Sequence, residues 1–139
     1  MMTKVGLLGA GYILDSHAKA LAAIPQVSLH AVCDLAIGRA KGAAARYGIG
    51  NVYGSIEDLA GSDCDVVHVL LPPAHHVSAA QTLVESGKSV FLEKPMGLDG
   101  NACEALCDLA EKKGLVVGVN HNFLSVSYTH LTLPTILLV

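Results

Sequence analysis

A glycine-rich turn and a carboxylate further along the chain have types and spacing that suit ligand chemistry. Gly9 and Gly11 follow the apolar run Lys4–Leu8, and Asp34 closes the next apolar run. Gly9 allows a tight turn, and Gly11, which has no Cβ, lets a pyrophosphate approach the backbone and the N–H groups of the following helix. A carboxylate at Asp34 can accept hydrogen bonds from both adenosine ribose hydroxyls, which predicts NAD rather than NADP.

The third small residue of such a turn is missing, because Leu14 stands three residues after Gly11. A small residue there lets helix and strand pack closely, so Leu14 requires a wider gap between them. An ordinary strand-to-helix turn is the alternative interpretation. The strand before the turn, the helix after it and the position of Asp34 favour the dinucleotide site.

A cation follows a later strand. Glu93, Lys94 and Pro95 come directly after the apolar run Ser89–Leu92. Lys94 could position the oxygen of a hydroxyl that is being oxidised and help accept its proton. The alternative is a surface ion pair between Glu93 and Lys94 ahead of a turn.

Hydrophobic periodicity predicts the elements that position these residues. Apolar runs that read as strands alternate with helical patterns, which predicts a single α/β domain with a Rossmann-type doubly wound parallel sheet in strand order 3-2-1-4-5-6. The predicted strands cover residues 3–8, 27–33, 52–53, 65–70, 89–92 and 115–119, and helices lie between them, including short or capped ones after Ser55 and Asp99.

The carboxyl ends of parallel strands meet at one rim, where ligands bind. This rim should gather the informative residues: Gly9–Tyr12, Asp34, Leu71–Pro73, Glu93–Pro95 and residues 120–122. Pro72 and Pro73 would stiffen a loop beside the ligand, or they simply end the fourth strand.

The last fourteen residues differ from the rest of the chain. Val126–Thr135 matches a translated transposase-end sequencing adapter, and residues 126–139 contain no Asp, Glu, Lys or Arg. Such segments are excluded from fold reasoning. We therefore expect a domain over residues 1–125, cut from a longer gene, followed by a foreign tail.

Composition excludes several classes. The chain is 52% hydrophobic with a net charge of −3 and no basic patch, so it can bury a core and nucleic acid is not an expected partner. No apolar run approaches the ~18 residues of a membrane span, and the N-terminus does not read as a signal peptide. Four cysteines lack zinc or disulfide spacing, which predicts no metal site and reduced thiols in the cytoplasm; Cys103 and Cys107 read as part of a packed helix stripe.

Taken together, the motifs resemble the Gfo/Idh/MocA oxidoreductase family. The resemblance rests on Gly9–Ile13, Asp34 with Arg39, Leu71–His76 and Gly87–Pro95, and it covers residues 3–124. It implies an NAD(P)-dependent dehydrogenase or reductase of sugars, inositols or related polyols. It also implies a second, C-terminal domain that forms the substrate site, and a homo-oligomer of the full-length protein.

The resemblance also assigns roles by position. Lys94 would be catalytic, the Lys94–Pro95 bond would often be cis, and Asn120 matches a frequent family asparagine. Two departures put single contacts in doubt: Pro73 replaces a frequent Asn, and Asn122 a frequent Arg. The implied cofactor-binding residues are Gly9, Gly11, Tyr12 and Ile13 at the pyrophosphate, Asp34 and Arg39 at the adenosine, Leu71, Pro72 and His76 beside the cofactor, Glu93 and Lys94 at the nicotinamide, and Asn120.

The histidines have different expected roles. His17, on the inward face of the first helix, is expected to be a packed core residue, and His68 to be a structural residue in mid-strand. His76 at a helix start is either a cofactor neighbour or a plain helix-end residue. His121 lies near the rim without support from a pattern.

Two hypotheses of function follow. The first is the NAD-binding domain of an enzyme that transfers hydride between nicotinamide and a polyol or sugar carbon, with the present chain unable to turn over alone. The second is a non-catalytic dinucleotide-binding sensor or regulatory module on the same fold.

Overall fold

A computed structural model describes residues 2–120 of the chain. Strands alternate with helices throughout this range, and a single 3₁₀ turn, Pro73–His75, precedes the fourth helix. The strands are β1 Thr3–Leu8, β2 Val27–Cys33, β3 Asn51–Tyr53, β4 Val66–Val69, β5 Ser89–Glu93 and β6 Val117–Asn120; the helices are α1 Leu14–Ala22, α2 Ile37–Tyr47, α3 Ile56–Ala60, α4 His76–Glu85 and α5 Gly100–Lys112.

The six strands form one sheet in the order β3-β2-β1-β4-β5-β6, and every pairing is parallel. The predicted fold class and strand order are therefore confirmed. The order reverses between β1 and β4, so a crevice opens at the carboxyl ends of these two strands. The glycine turn follows β1 at this point.

The helices cover both faces of the sheet. Val5 and Leu7 of β1 point toward α1 and α2, where they pack in one cluster with Leu14 and Ala18. Leu8 belongs to the opposite cluster, under α3, α4 and α5. This alternation along the strand gives the three-layer arrangement of a doubly wound domain.

Capping residues in the sequence predicted where α3 and α5 begin. Ser55 Oγ accepts from the Asp58 N–H, and the Asp99 side chain accepts from the Asn101 N–H, as capping residues do. Strand β6 begins later than the sequence predicts, because the Leu115 N–H donates to the Ala110 carbonyl and finishes α5 instead of joining the sheet.

The structure corrects one sequence-based expectation, and another concerns residues outside the described range. Cys107 is exposed and Cys103 half-buried, so the stripe of α5 that packs inward consists of Leu106 and Ala110. The predicted tail over residues 126–139 lies outside the described residues. Within residues 2–120 no helix is long and apolar enough to cross a membrane.

Candidate functional site

The turn after β1 requires glycine at its first position. Gly9 has a φ of +106°, and a Cβ there would lie 2.7 Å from the Leu70 carbonyl oxygen. Its N–H donates to the Cys33 carbonyl over 2.8 Å, which ties the turn to β2. The turn is therefore held close to both neighbouring strands by backbone contacts.

Gly11 is a glycine for a different reason. A Cβ built on Gly11 meets no atom within 4 Å, so the protein itself leaves the space beside this backbone open. Helix α1 begins three residues later, and its N-cap Ile13 makes no side-chain capping hydrogen bond. Open space next to the N-terminus of a helix fits an anion such as a pyrophosphate.

Asp34 connects the glycine turn to the turn after β2. Its Oδ2 accepts from the Ala10 N–H and its Oδ1 from the Ala36 N–H, each over 2.8 Å. A carboxylate can accept about four hydrogen bonds. Both oxygens therefore keep capacity for ligand hydroxyls while their orientation is fixed.

A cavity of about 550 Å³ opens beside Asp34. Three residues predicted from the sequence line it: Gly9, Asp34 and Leu71. The sequence did not indicate the rest of the lining, which comes from β1, β2, the β2–α2 turn, α3, the 3₁₀ turn and α4: Leu8, Cys33, Leu35, Ile56, Glu57, His75, Ser78, Ala79 and Thr82. The size and the largely apolar lining suit a nucleoside.

The Cys33 thiol in this lining is not a reactive group. Its Sγ donates to the Ser55 carbonyl over 3.3 Å. Burial raises the pKa of the Cys33 thiol to about 11. So little of this thiol is ionised at neutral pH that it is a poor nucleophile.

Other predicted residues lie at the rim outside this cavity. Tyr12 is 92% exposed and Ile13 is half-buried at the start of α1. Arg39 is exposed in the first turn of α2, and Pro72 is exposed after β4. The contacts of these four side chains with a cofactor stay predictions.

The second half of the rim lies at the ends of β5 and β6. Glu93 accepts a hydrogen bond from Asn120 Nδ2 over 3.0 Å and pairs with His17 Nε2 of α1. The His17 contact holds the pKa of the Glu93 carboxyl below its usual range. Lys94 is exposed, and the Lys94–Pro95 bond is cis, as the family resemblance implied.

His17 and His68 are buried, as predicted, but they are also hydrogen-bonded to each other. Their Nδ1 atoms are 2.9 Å apart, and the His68 ring lies 4.8 Å from the Phe91 ring between centroids. Burial pushes the pKa of His68 well below its ordinary value, so this ring is neutral. Sequence reasoning missed the link from His17 to Glu93, although a polar residue on an inward helix face needs a partner.

His76 lies beneath the rim and is 1% exposed. Its Nδ1 contacts the Pro95 carbonyl oxygen at 2.9 Å, and its Nε2 contacts the Leu71 carbonyl oxygen at 2.7 Å. The ring therefore joins two rim loops through their backbone. His121 and Asn122 lie outside the described residues.

Comparison with known proteins adds a family to this geometry. The profile of the Gfo/Idh/MocA proteins, described as an oxidoreductase family with an NAD-binding Rossmann fold, matches residues 3–121. An inositol 2-dehydrogenase of Rhizobium meliloti is 34% identical over 126 residues, which are 88% of this chain and 38% of that protein. The chain thus spans little more than a third of the length of this relative.

Solved structures agree with the sequence match. A scyllo-inositol dehydrogenase of Lactobacillus casei with bound NAD(H) and scyllo-inositol superposes with a TM-score of 0.79 and 26% identity, over 86% of this chain and 36% of that one. A variant of the 3-ketoreductase KijD10 of Actinomadura kijaniata, in complex with TDP-benzene and NADP, gives a TM-score of 0.84 and 30% identity over 89% and 40% of the two chains.

Proposed function

This chain belongs to the Gfo/Idh/MocA oxidoreductase family, as its NAD-binding Rossmann domain, and on that premise we propose that it binds NAD at the glycine turn. In the whole protein this domain would serve hydride transfer between nicotinamide and a sugar, an inositol or a related polyol. The observation that carries the proposal is the Asp34 carboxylate, fixed by the N–H groups of Ala10 and Ala36 beside a nucleoside-sized cavity.

The choice of NAD over NADP rests on charge. The extra phosphate of NADP sits on the ribose hydroxyl that a carboxylate at this position would bind. Asp34 would repel that phosphate, and the first cation after it, Arg39, lies five residues further along the chain. Related proteins have been solved with NAD(H) and with NADP, so the preference belongs to this chain's own residues.

We propose that Lys94 accepts the proton of the substrate hydroxyl. Its amine is exposed at the rim, one residue beyond the anchored Glu93. A bound nicotinamide supplies the hydride acceptor. In its neutral form the Lys94 amine would take the proton from the substrate hydroxyl as the carbon gives up its hydride, which leaves a carbonyl product and an ammonium group.

The wider setting follows from the same family membership. We propose a small polyol or sugar as the substrate, a homo-oligomer as the full-length form and the cytoplasm as its location. A non-catalytic sensor would use the same cofactor site, but the exposed Lys94 at the rim favours the enzyme.

The dinucleotide site can be tested with two matched glycine substitutions. Gly11→Ala should leave thermal stability unchanged, since no atom lies within 4 Å of the new methyl group, but should abolish NAD binding because the methyl group occupies the pyrophosphate position. Gly50→Ala is equally unobstructed, but Gly50 precedes the edge strand β3 and so lies at the amino end of a strand, away from the rim; this variant should bind like the wild type. Equal NAD affinity of the two variants in calorimetry would overturn the proposed site.

A further inference from the structure

The residues on either side of Lys94 are both held by buried histidines. His17 of α1 reaches Glu93 through its side chain, and His76 at the start of α4 reaches Pro95 through its backbone carbonyl. The two histidines belong to helices on opposite faces of the sheet, as the two core clusters show. The Glu93–Pro95 turn is therefore held by hydrogen bonds from both helix layers, and Lys94 lies at its centre.

The His17 ring that contacts Glu93 is held in place by a second buried histidine, His68. His17 is 9% exposed and His68 is 1% exposed, and the hydrogen bond between their Nδ1 atoms fixes how the His17 ring is turned. The other ring nitrogen of His17 then faces the Glu93 carboxylate, which Asn120 of β6 holds as well. A charged acceptor held by two donors is a strong and directional anchor.

The grip on Pro95 spans two loops. The Nδ1 of His76 meets the Pro95 carbonyl, and its Nε2 meets the Leu71 carbonyl at the end of β4. Carbonyl oxygens only accept, so a ring N–H of His76 donates at one of these contacts at least. One buried ring thus keeps a fixed distance between the Lys94 turn and the loop that lines the nucleoside cavity.

We propose that His17 and His76 are positioning residues, which fix the Glu93–Pro95 turn so that the Lys94 amine faces the reacting end of the cofactor. The inference rests on the proposed role of Lys94. A lysine side chain has several freely rotating bonds, so the protein can direct its amine mainly by fixing the backbone that carries it. Displacements of about 1 Å at such a group cost large factors in rate.

The test compares two ligands that differ only at the reacting end. ADP-ribose contains the adenosine and pyrophosphate of NAD but lacks the nicotinamide. We expect the 139-residue chain to bind NAD about tenfold more tightly than ADP-ribose in calorimetry. His17→Leu should lose this preference and keep its affinity for ADP-ribose, because it frees Glu93 without touching the adenosine half of the site.

A conservative variant separates positioning from packing. His17→Gln places an amide where it can donate to Glu93 and accept from His68, so it should restore the preference for NAD. His76→Leu should behave like His17→Leu, and thermal unfolding identifies any variant that fails to fold. The His17 pair decides the matter if His76→Leu does not fold.

The outcomes are distinct. If folded His17→Leu loses affinity for both ligands in parallel, or keeps the preference for NAD, the positioning role is overturned while the dinucleotide site stands. Equal affinities of the wild-type chain for NAD and ADP-ribose would likewise overturn the positioning role. If the folded wild type binds neither ligand, the proposed function itself fails, and the inference fails with it.

Discussion

At the scale of single residues, Asp34 shows how a functional group is prepared before any ligand arrives. Each of its oxygens already accepts a backbone N–H, one from the glycine turn and one from the turn after β2. The glycine motif and the spacing to Asp34 are local patterns, so the sequence alone predicted them. The Glu93–His17 pair was not predictable, because its partners are 76 positions apart and meet only once α1 packs on the sheet.

The buried His68 makes stability depend on pH. In the folded protein the pKa of His68 lies well below the ordinary value of 6.5. As the pH falls through 6.5, His68 of the unfolded chain therefore takes up a proton and His68 of the folded chain does not. The free energy of unfolding should therefore fall from pH 7 to pH 5, by at most about 1.4 kcal/mol per pH unit from this residue.

The measurement is urea unfolding at pH 7, 6 and 5, with His68→Asn as the comparison. The variant keeps a polar group toward His17 but does not titrate, so its stability should change less with pH. Glu93 contributes little to this change, because its lowered pKa places most of its own loss of stability at pH values below about 5. Parallel pH curves for the two proteins would contradict the role given to His68.

At the scale of elements, the misfit in the glycine motif becomes part of the core. Leu14 is fully buried in the cluster between α1, α2 and the sheet. The hydrophobic pattern predicted α1, but the glycine motif predicted a small residue where Leu14 stands. The distance between helix and sheet, which decides whether a leucine fits there, depends on packing and not on the local sequence. Glycines and caps set most boundaries, whereas the late start of β6 depends on a hydrogen bond made by the end of α5.

Leu14→Ala tests this packing role. Removing a buried leucine side chain should lower the free energy of unfolding by about 2–5 kcal/mol through lost burial and the cavity left behind. Ser16→Ala, an exposed position on the same helix, is the control and should change little. A loss for Leu14→Ala no larger than that of the control in urea unfolding would show that α1 does not depend on this contact.

At the scale of the whole molecule, one parallel sheet brings distant segments to a single rim. The carboxyl ends of β1, β2 and β4 carry the nucleoside cavity, and those of β5 and β6 carry Glu93 and Asn120. The alternation of strands and helices made this architecture predictable. The lining from α3 and α4 was not, because it depends on where these helices settle over the sheet.

Binding and turnover should be separable in this chain, which spans about 38% of a related inositol 2-dehydrogenase. We expect it to bind NAD but to reduce none in the presence of myo-inositol, because it matches only 38% of the length of that relative. Absorbance of NADH at high chain concentration measures this. Inositol-dependent NADH production that Lys94→Ala removes would show that the chain suffices for catalysis.

The most direct test of the dinucleotide site is calorimetric titration of the chain with NAD and with NADP, repeated for Asp34→Asn. The variant keeps the size and one acceptor oxygen of Asp34 but loses its charge. We expect the wild type to prefer NAD by about tenfold or more and Asp34→Asn to lose most of that preference. A folded wild-type chain that binds neither dinucleotide, or binds NADP as tightly as NAD, would contradict it.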